Sequence, residues 1–431
     1  MATPNRLGLF VLLLGIFLLG LTDVQIISPI LPKLAEDFSV TPAVMGTAVS
    51  TYAIAAALWA LVVGPMSDRI GRLIFLRAAA FVFAGAAVIS YFAASFEHYV
   101  FARLLAGLAG GAISACVIAQ IADLFDYTRR GRAMGWLGAI YFIAAVIAVP
   151  LGAWITAAWG WRTLYLLLAA LALLLGIFMR PSRLATAKND GRNDSTTTPV
   201  RNLSFAKEAL RQQLQNYPGY LIRKTTLLGL LLAMTVSAAV AGVVTYLGVW
   251  LTTAFGMSIA TIGAVFMLTG AASVMGALGG GWLSDRLGKR RMIALSSMIL
   301  AIVLFMVKIV QTQTSVFFFC AAGGLAMALR EGPFQALISE LVPASERGAY
   351  IALRNAASQL AIAAAVAICG VLFERFGFVA VAYFAAGCSL IAGSLMMWIG
   401  EPGGASNQNK TKVSQPKNDG ITNPFIRSNE A

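Results

Sequence analysis

Five ionisable side chains stand inside stretches that are otherwise apolar: Asp23, Arg103, Lys308 and the neighbours Arg330 and Glu331. An unpaired charge in hydrocarbon is costly enough that such residues are paired, neutralised or functional. A carboxylate in that setting can take up and release a proton as its surroundings change, and a guanidinium can grip an anion through paired hydrogen bonds. Asp23, in Thr22-Asp23-Val24-Gln25, is the candidate proton-coupling carboxylate. Two other readings stay open for it: a structural ion pair, or a side chain reaching outward to cap the helix near Ser28-Pro29. Glu331 is the alternative protonation site, and Arg330 a candidate to bind an anionic group of a substrate. Successive residues on a helix point about 100° apart, so Arg330 and Glu331 cannot simply face each other. One is expected to face a cavity and the other a neighbouring helix, with an inter-helix structural pair as the competing reading. Pro333, just beyond them, frees a carbonyl one turn earlier and kinks the helix. Lys308 lies near a span end, where its stem can snorkel to the interface.

Neutral residues at compatible positions are Gln25, Tyr52, Tyr141, Tyr246, Trp250, Gln335, Asn355 and Gln359. Tyr246 and Trp250, one turn apart, share a helical face. A lining of aromatic rings and amides suits amphipathic molecules of modest size. The competing reading for each aromatic is packing or an interfacial belt.

The elements that must position these residues follow from hydropathy. The chain of 431 residues is 59% hydrophobic and 12% charged, against roughly 25% charged in soluble domains. Apolar runs of spanning length, about 20 residues, cover 8–31, 43–63, 74–94, 99–121, 134–158 and 162–179, then 225–250, 260–281, 292–311, 314–339, 349–371 and 376–398. The expected fold class is an all-α polytopic membrane protein of twelve transmembrane helices in two six-helix pseudo-symmetric bundles. The expected divisions are an N-terminal bundle at 1–180, a cytoplasmic linker at 181–224, a C-terminal bundle at 225–400 and a disordered tail at 401–431. The first run is longer than a secretory h-region and lacks a small-x-small cleavage site, so it reads as a retained span. Within the linker, 205–214 reads as an amphipathic surface helix. Lysine and arginine fall in alternate loops, which places both termini in the cytoplasm. The net charge of +14 is dispersed through those loops, giving no face for nucleic acid. Cys116, Cys320, Cys369 and Cys388 lie inside apolar runs without metal-ligand spacing, as small buried hydrophobes.

One polar turn occurs twice. Gly64-Pro65-Met66-Ser67-Asp68-Arg69-Ile70-Gly71-Arg72 closes the second run, and Gly281-Trp282-Leu283-Ser284-Asp285-Arg286-Leu287-Gly288-Lys289 closes the eighth. Gly71 and Gly288 permit the backbone of a tight membrane-surface turn, and Asp68 can face a helix N-terminus or nearby arginines. The repetition, with six spans on either side of the linker, resembles the major facilitator superfamily over about residues 7–400, whose signature between its second and third helices is G-x-x-x-D-R-x-G-R. The resemblance implies that Gly64, Asp68, Arg69, Gly71 and Arg72, with Asp285, Arg286 and Gly288, act in gating, locking the two halves when the transporter faces outward. It also implies that the first and fourth helices line a central cavity, so that Asp23 and Arg103 can pair. Arg103-Leu104-Leu105-Ala106-Gly107 resembles the R-x-x-x-G pattern of proton-coupled members. Val149-Pro150-Leu151-Gly152 and Gly160-Trp161-Arg162 resemble the sugar- and drug-efflux branch, although Ala144 and Ala148 stand where its fifth-span signature has glycine.

The leading expectation is a secondary active transporter that moves a small organic solute by alternating access, coupled to protons and directed outward, in a cell membrane and as a monomer. The alternatives are an uptake symporter or facilitator of the same fold, or a non-transporting membrane sensor. The sequence has one histidine, His98, and no H-E-x-x-H, G-x-S-x-G or Walker A pattern. An enzyme, ATP-driven transport and a cofactor or metal site are therefore not expected.

Overall fold

The computed structural model describes residues 4–125, 127–179, 211, 215, 217–343 and 346–398. The expected surface helix at 205–214, most of the linker and the 401–431 tail lie outside them, apart from Arg211 and the last residues of the linker. The described chain contains twelve helices long and apolar enough to span a membrane, and no strand. They are α1 (Pro4–Asp37), α2 (Pro42–Ile70), α3 (Arg72–Tyr91), α4 (Phe96–Leu124), α5 (Tyr127–Ile143, continuing through Ala144–Ala148 into Val149–Trp159) and α6 (Trp161–Phe178). The second six are α7 (Lys224–Phe255), α8 (Ile259–Leu287), α9 (Lys289–Phe305, with a 3₁₀ turn Met306–Ile309), α10 (Gln313–Leu329, resuming at Glu331–Glu340), α11 (Arg347–Phe376) and α12 (Phe378–Trp398). Several extend past the apolar runs, because a helix needs apolar side chains only where it meets hydrocarbon.

Two helices are broken where proline removes a backbone donor. Pro150 cannot donate to the preceding turn, and Ala144–Ala148 widens into a π-helical turn, with the Val149 amide bonding the Ala144 carbonyl. Pro333 interrupts α10 at Arg330, as its position predicts, and the Phe334 amide bonds the Arg330 carbonyl at 2.8 Å.

The doubled turns fold alike. Gly71 has φ 120° and Gly288 φ 86°, conformations that a side chain disfavours. Their amides bond the carbonyls of Ser67 and Ser284, each at 2.9 Å. Each following basic residue then reaches a carboxylate at the end of the helix two further on: Arg72 to Asp123 and Lys289 to Glu340. Both turns lie at one end of the bundle, the basic end.

The two halves are joined mainly toward the other end. There α1 packs on α7, α2 on α11, and α5 on α8. Among the described residues, the side-chain hydrogen bonds between the halves are Ser28 Oγ to the Val244 carbonyl, Ser50 Oγ to the Ala363 carbonyl at 2.9 Å, and the Ala43 amide to Glu374 Oε1 at 3.3 Å. Pro32 leaves the Ser28 carbonyl without its helical donor, and the α carbon of Gly248 lies against that oxygen, so closely that any Cβ there would collide with it and with Pro29. No described ion pair joins the halves at the basic end. The structure is closed at one end and unlatched at the other.

Gly248→Val should force α1 and α7 apart. In purified protein with the four native cysteines replaced, maleimide labelling of Ser50→Cys should then rise well above its rate in the parent. Gly279→Val, where a Cβ meets nothing within 4 Å, should leave that rate unchanged.

Candidate functional site

Asp23 and Arg103 meet as a bidentate pair. Arg103 Nη2 donates to Asp23 Oδ1 at 2.9 Å and Nη1 to Oδ2 at 3.1 Å. The residues are 0% and 1% exposed, so neither charge reaches water in this conformation. The R-x-x-x-G spacing has a local physical reason: Gly107, one turn past Arg103, lies against the Tyr52 carbonyl and the Ala55 side chain, drawing α4 onto α2. That approach brings the Tyr52 ring to 5.6 Å from the guanidinium carbon, with Tyr99 at 5.7 Å and Tyr165 at 5.5 Å. The Tyr99 and Tyr165 hydroxyls bond each other at 2.7 Å. Three aromatic faces thus add cation–π attraction to the carboxylate. Arg103 Nε lacks a partner. Outward capping by Asp23 is excluded in this conformation by its burial; a coupling role and a structural role both remain compatible with the pair.

The box is braced from the end opposite the basic turns. Trp161 packs edge-on to Tyr99 and Tyr165 and donates its Nε1 hydrogen to Asp37 at 2.7 Å. Arg162 stacks on Trp161 with 4.3 Å from guanidinium to ring, and bonds the Ala93 carbonyl at 3.1 Å. The Gly160-Trp161-Arg162 motif therefore ties α1, α3 and α6 around the buried pair.

A second polar cluster lies where the halves face each other. Gln335 Nε2 donates to Glu331 Oε1 at 2.8 Å, and its own Oε1 accepts from Arg354 Nη2, also at 2.8 Å. Glu331 and Gln335 are exposed although both stand inside a spanning helix. Tyr141, from the first half, is 49% exposed and lies within electrostatic reach of both Glu331 and Arg354. Arg354 is the residue that sequence reasoning missed, because it lies near the basic end of α11 and counts there as one more basic residue of an inner loop. Its single legible signal is its distance into the helix, two turns past Arg347.

Arg330 is not part of this cluster. It is 0% exposed and turns toward α9, where Nη1 donates to Ser297 Oγ at 3.1 Å while Nε and Nη2 have no partner. The break in α10 therefore does separate the two charges as expected, but the cation on the cleft is Arg354. Tyr246 also departs from the expected lining. It is 0% exposed, donates to the Val366 carbonyl at 3.0 Å, stacks on Phe373 and inserts its hydroxyl between Gly46 and Gly370. It is a packing residue of the closed end, since its ring is flat enough to enter where two glycines remove side chains. Trp250, on the same face, stacks on Phe378 with ring centres 4.4 Å apart. Gln25, Asn355 and Gln359 are partly buried; Lys308 stands 5.6 Å from the Tyr383 ring centre, near the end of its span. At the basic end Asp68 binds Arg72 at 2.8 Å within its own half, Arg69 and Asp285 are exposed, and Arg286 stacks on Trp282 at 3.9 Å.

Removing one member of a buried ion pair strands the other, at a cost of about 3–5 kcal/mol. Asp23→Asn should therefore lower the thermal denaturation midpoint in lipid nanodiscs by several degrees. The double variant Asp23→Asn with Arg103→Met should recover more than half of that loss.

The profile of the Major Facilitator Superfamily matches residues 12–307 and 226–428. An uncharacterised MFS-type transporter of Bacillus subtilis (strain 168), YwfA, is 26% identical over 386 residues, covering 88% of this chain and 89% of the relative. The multidrug resistance protein MdtL of Klebsiella pneumoniae is 26% identical over 147 residues, covering 34% of this chain and 38% of that protein. Among solved structures, the inward-open xylose transporter XylE from E. coli superposes with a TM-score of 0.71 at 17% identity, over 91% of this chain and 96% of that one. A bacterial homologue of the lysosomal transporter Spinster, inward-facing and unoccupied, gives the same TM-score at 14% identity, over 93% and 99%. These matches, the twelve spans and the doubled turn agree, and the chain is a multi-pass membrane protein that belongs to the major facilitator superfamily of transporters.

Proposed function

We propose that this transporter exports a small organic solute in exchange for protons, with Asp23 as the coupling carboxylate and the Glu331–Gln335–Arg354 cluster, faced by Tyr141, as the solute site. The observation that carries the proposal is the occluded Asp23–Arg103 pair. A guanidinium keeps its proton in proteins, so whether Asp23 binds one depends on whether Arg103 stays against it. A movement that withdraws Arg103 favours the protonated acid, and its return expels the proton. Both helices belong to one half, so such a movement comes through α1, which also packs on α7 of the other half and shifts against α4 when the halves part. With the basic turns at the cytoplasmic face, the conformation described is inward-open. Asp68 and Arg72 then engage the opposite half only when the protein faces outward. Export is supported by the Gly160-Trp161-Arg162 brace and by the partial match to multidrug resistance proteins.

The test is transport in proteoliposomes carrying an imposed pH gradient, with a panel of sugars, amphipathic drugs, nucleosides and amino acids. Wild type should couple movement of at least one solute to dissipation of the gradient. Asp23→Asn should retain solute exchange but no longer concentrate solute against its own gradient. Concentrative, gradient-driven transport persisting in Asp23→Asn removes Asp23 from the coupling role.

A further inference from the structure

Within the apolar runs 314–339 and 349–371 the second half holds two guanidiniums and one carboxylate: Arg330, Arg354 and Glu331. Among the described residues neither arginine has an acidic partner at ion-pair distance. Arginine cannot escape the cost of burial by losing its proton, so these two runs carry one positive charge more than Glu331 offsets.

The orphaned donors are specific. Arg354 is 9% exposed; its Nη2 is used by Gln335, and its Nε has no partner. Ser358, one turn further along the same face of α11, has a buried hydroxyl that also lacks a partner. Gln335 is already committed, accepting from Arg354 and donating to Glu331, so it orients the guanidinium without compensating its charge. The guanidinium carbon of Arg354 lies over the Phe334 ring, 5.6 Å from its centre, which holds the group in place. Across the cleft stands the exposed ring of Tyr141, itself edge-on to Phe17. At Gly332, beside Glu331, a Cβ would meet nothing within 4 Å. The cleft thus offers a fixed cation whose protein partners are incomplete, an aromatic wall and room.

We propose that the cleft binds organic monoanions: a carboxylate held by the guanidinium of Arg354, on an aromatic or aliphatic body that lies against Tyr141. Arg330, 0% exposed behind the cleft, adds to the positive field without touching the ligand. Glu331 limits the preference, because it offsets one of the two cations. The assignment rests on reading this cluster as the solute site, and it names the class of solute.

The full-length protein in nanodiscs is titrated with benzoate, phenylacetate and octanoate, and with the corresponding primary amides and amines, following binding by the shift in thermal midpoint. The acids should bind about tenfold or more tightly than their amides, the weight of one charge-assisted hydrogen-bond set. Arg354→Gln should remove that preference, Arg354→Lys should keep part of it, and Glu331→Gln should tighten the acids. Amides or amines binding as well as acids, acids unaffected by Arg354→Gln, or no acid binding to wild type would each overturn the assignment. Acids that bind with this preference yet are not moved in proteoliposomes would leave it standing and remove the export proposal. Gradient-driven transport of a neutral or cationic solute, insensitive to Arg354→Gln, would do the reverse.

Discussion

A charge inside a membrane must be answered by another charge, by hydrogen bonds or by a ligand, and the arrangement of this protein follows from how each half meets that requirement. The first half answers it completely. Asp23 and Arg103 are joined by two hydrogen bonds, enclosed by tyrosines from α2, α4 and α6, and braced by Trp161 and Arg162. Four helices converge on one ion pair, so its loss would be felt by most of the half at once. The second half answers incompletely. Its arginines are buried with donors left over, and its carboxylate stands on the exposed side of α10. This asymmetry sets a fully paired centre in the first half against a partly unpaired one in the second.

The halves are matched where mechanics matter. The basic turns have the same backbone form, and the ion pairs that anchor them, Arg72–Asp123 and Lys289–Glu340, each span 51 residues of sequence. A shared pattern of proline and glycine also shapes the close contacts. Pro32 frees the Ser28 carbonyl and Pro333 frees that of Leu329; each of these oxygens is met by the α carbon of a glycine, Gly248 in one case and Gly280 in the other. Contacts of a Cα hydrogen with a carbonyl are worth only about 0.5–1 kcal/mol each. That weakness leaves the first of these contacts, which lies between the halves, easily broken.

Composition and the twelve apolar runs were enough to read the membrane class, because hydrocarbon imposes a length and a hydropathy that no other environment demands. The turns at Gly71 and Gly288 were legible because only glycine serves there. The Asp23–Arg103 pair was legible once the fold was suggested, since two opposite charges at similar depth on neighbouring helices have few other partners. The break at Arg330 was legible from Pro333, and the separation of Arg330 from Glu331 from helical geometry.

What tertiary structure alone decided is which face each polar residue presents. Arg330 turns to Ser297 while Arg354 takes the cleft, and Tyr246 fills the space left by Gly46 and Gly370. A spanning helix is apolar nearly all round, so its sequence carries little record of which side meets lipid, a neighbouring helix or water. That choice is made by packing between helices distant in the chain. For this protein the residues themselves determined the bundle, its turns and its buried pair, whereas the polar surface between the halves came into being only when the two halves were set against each other.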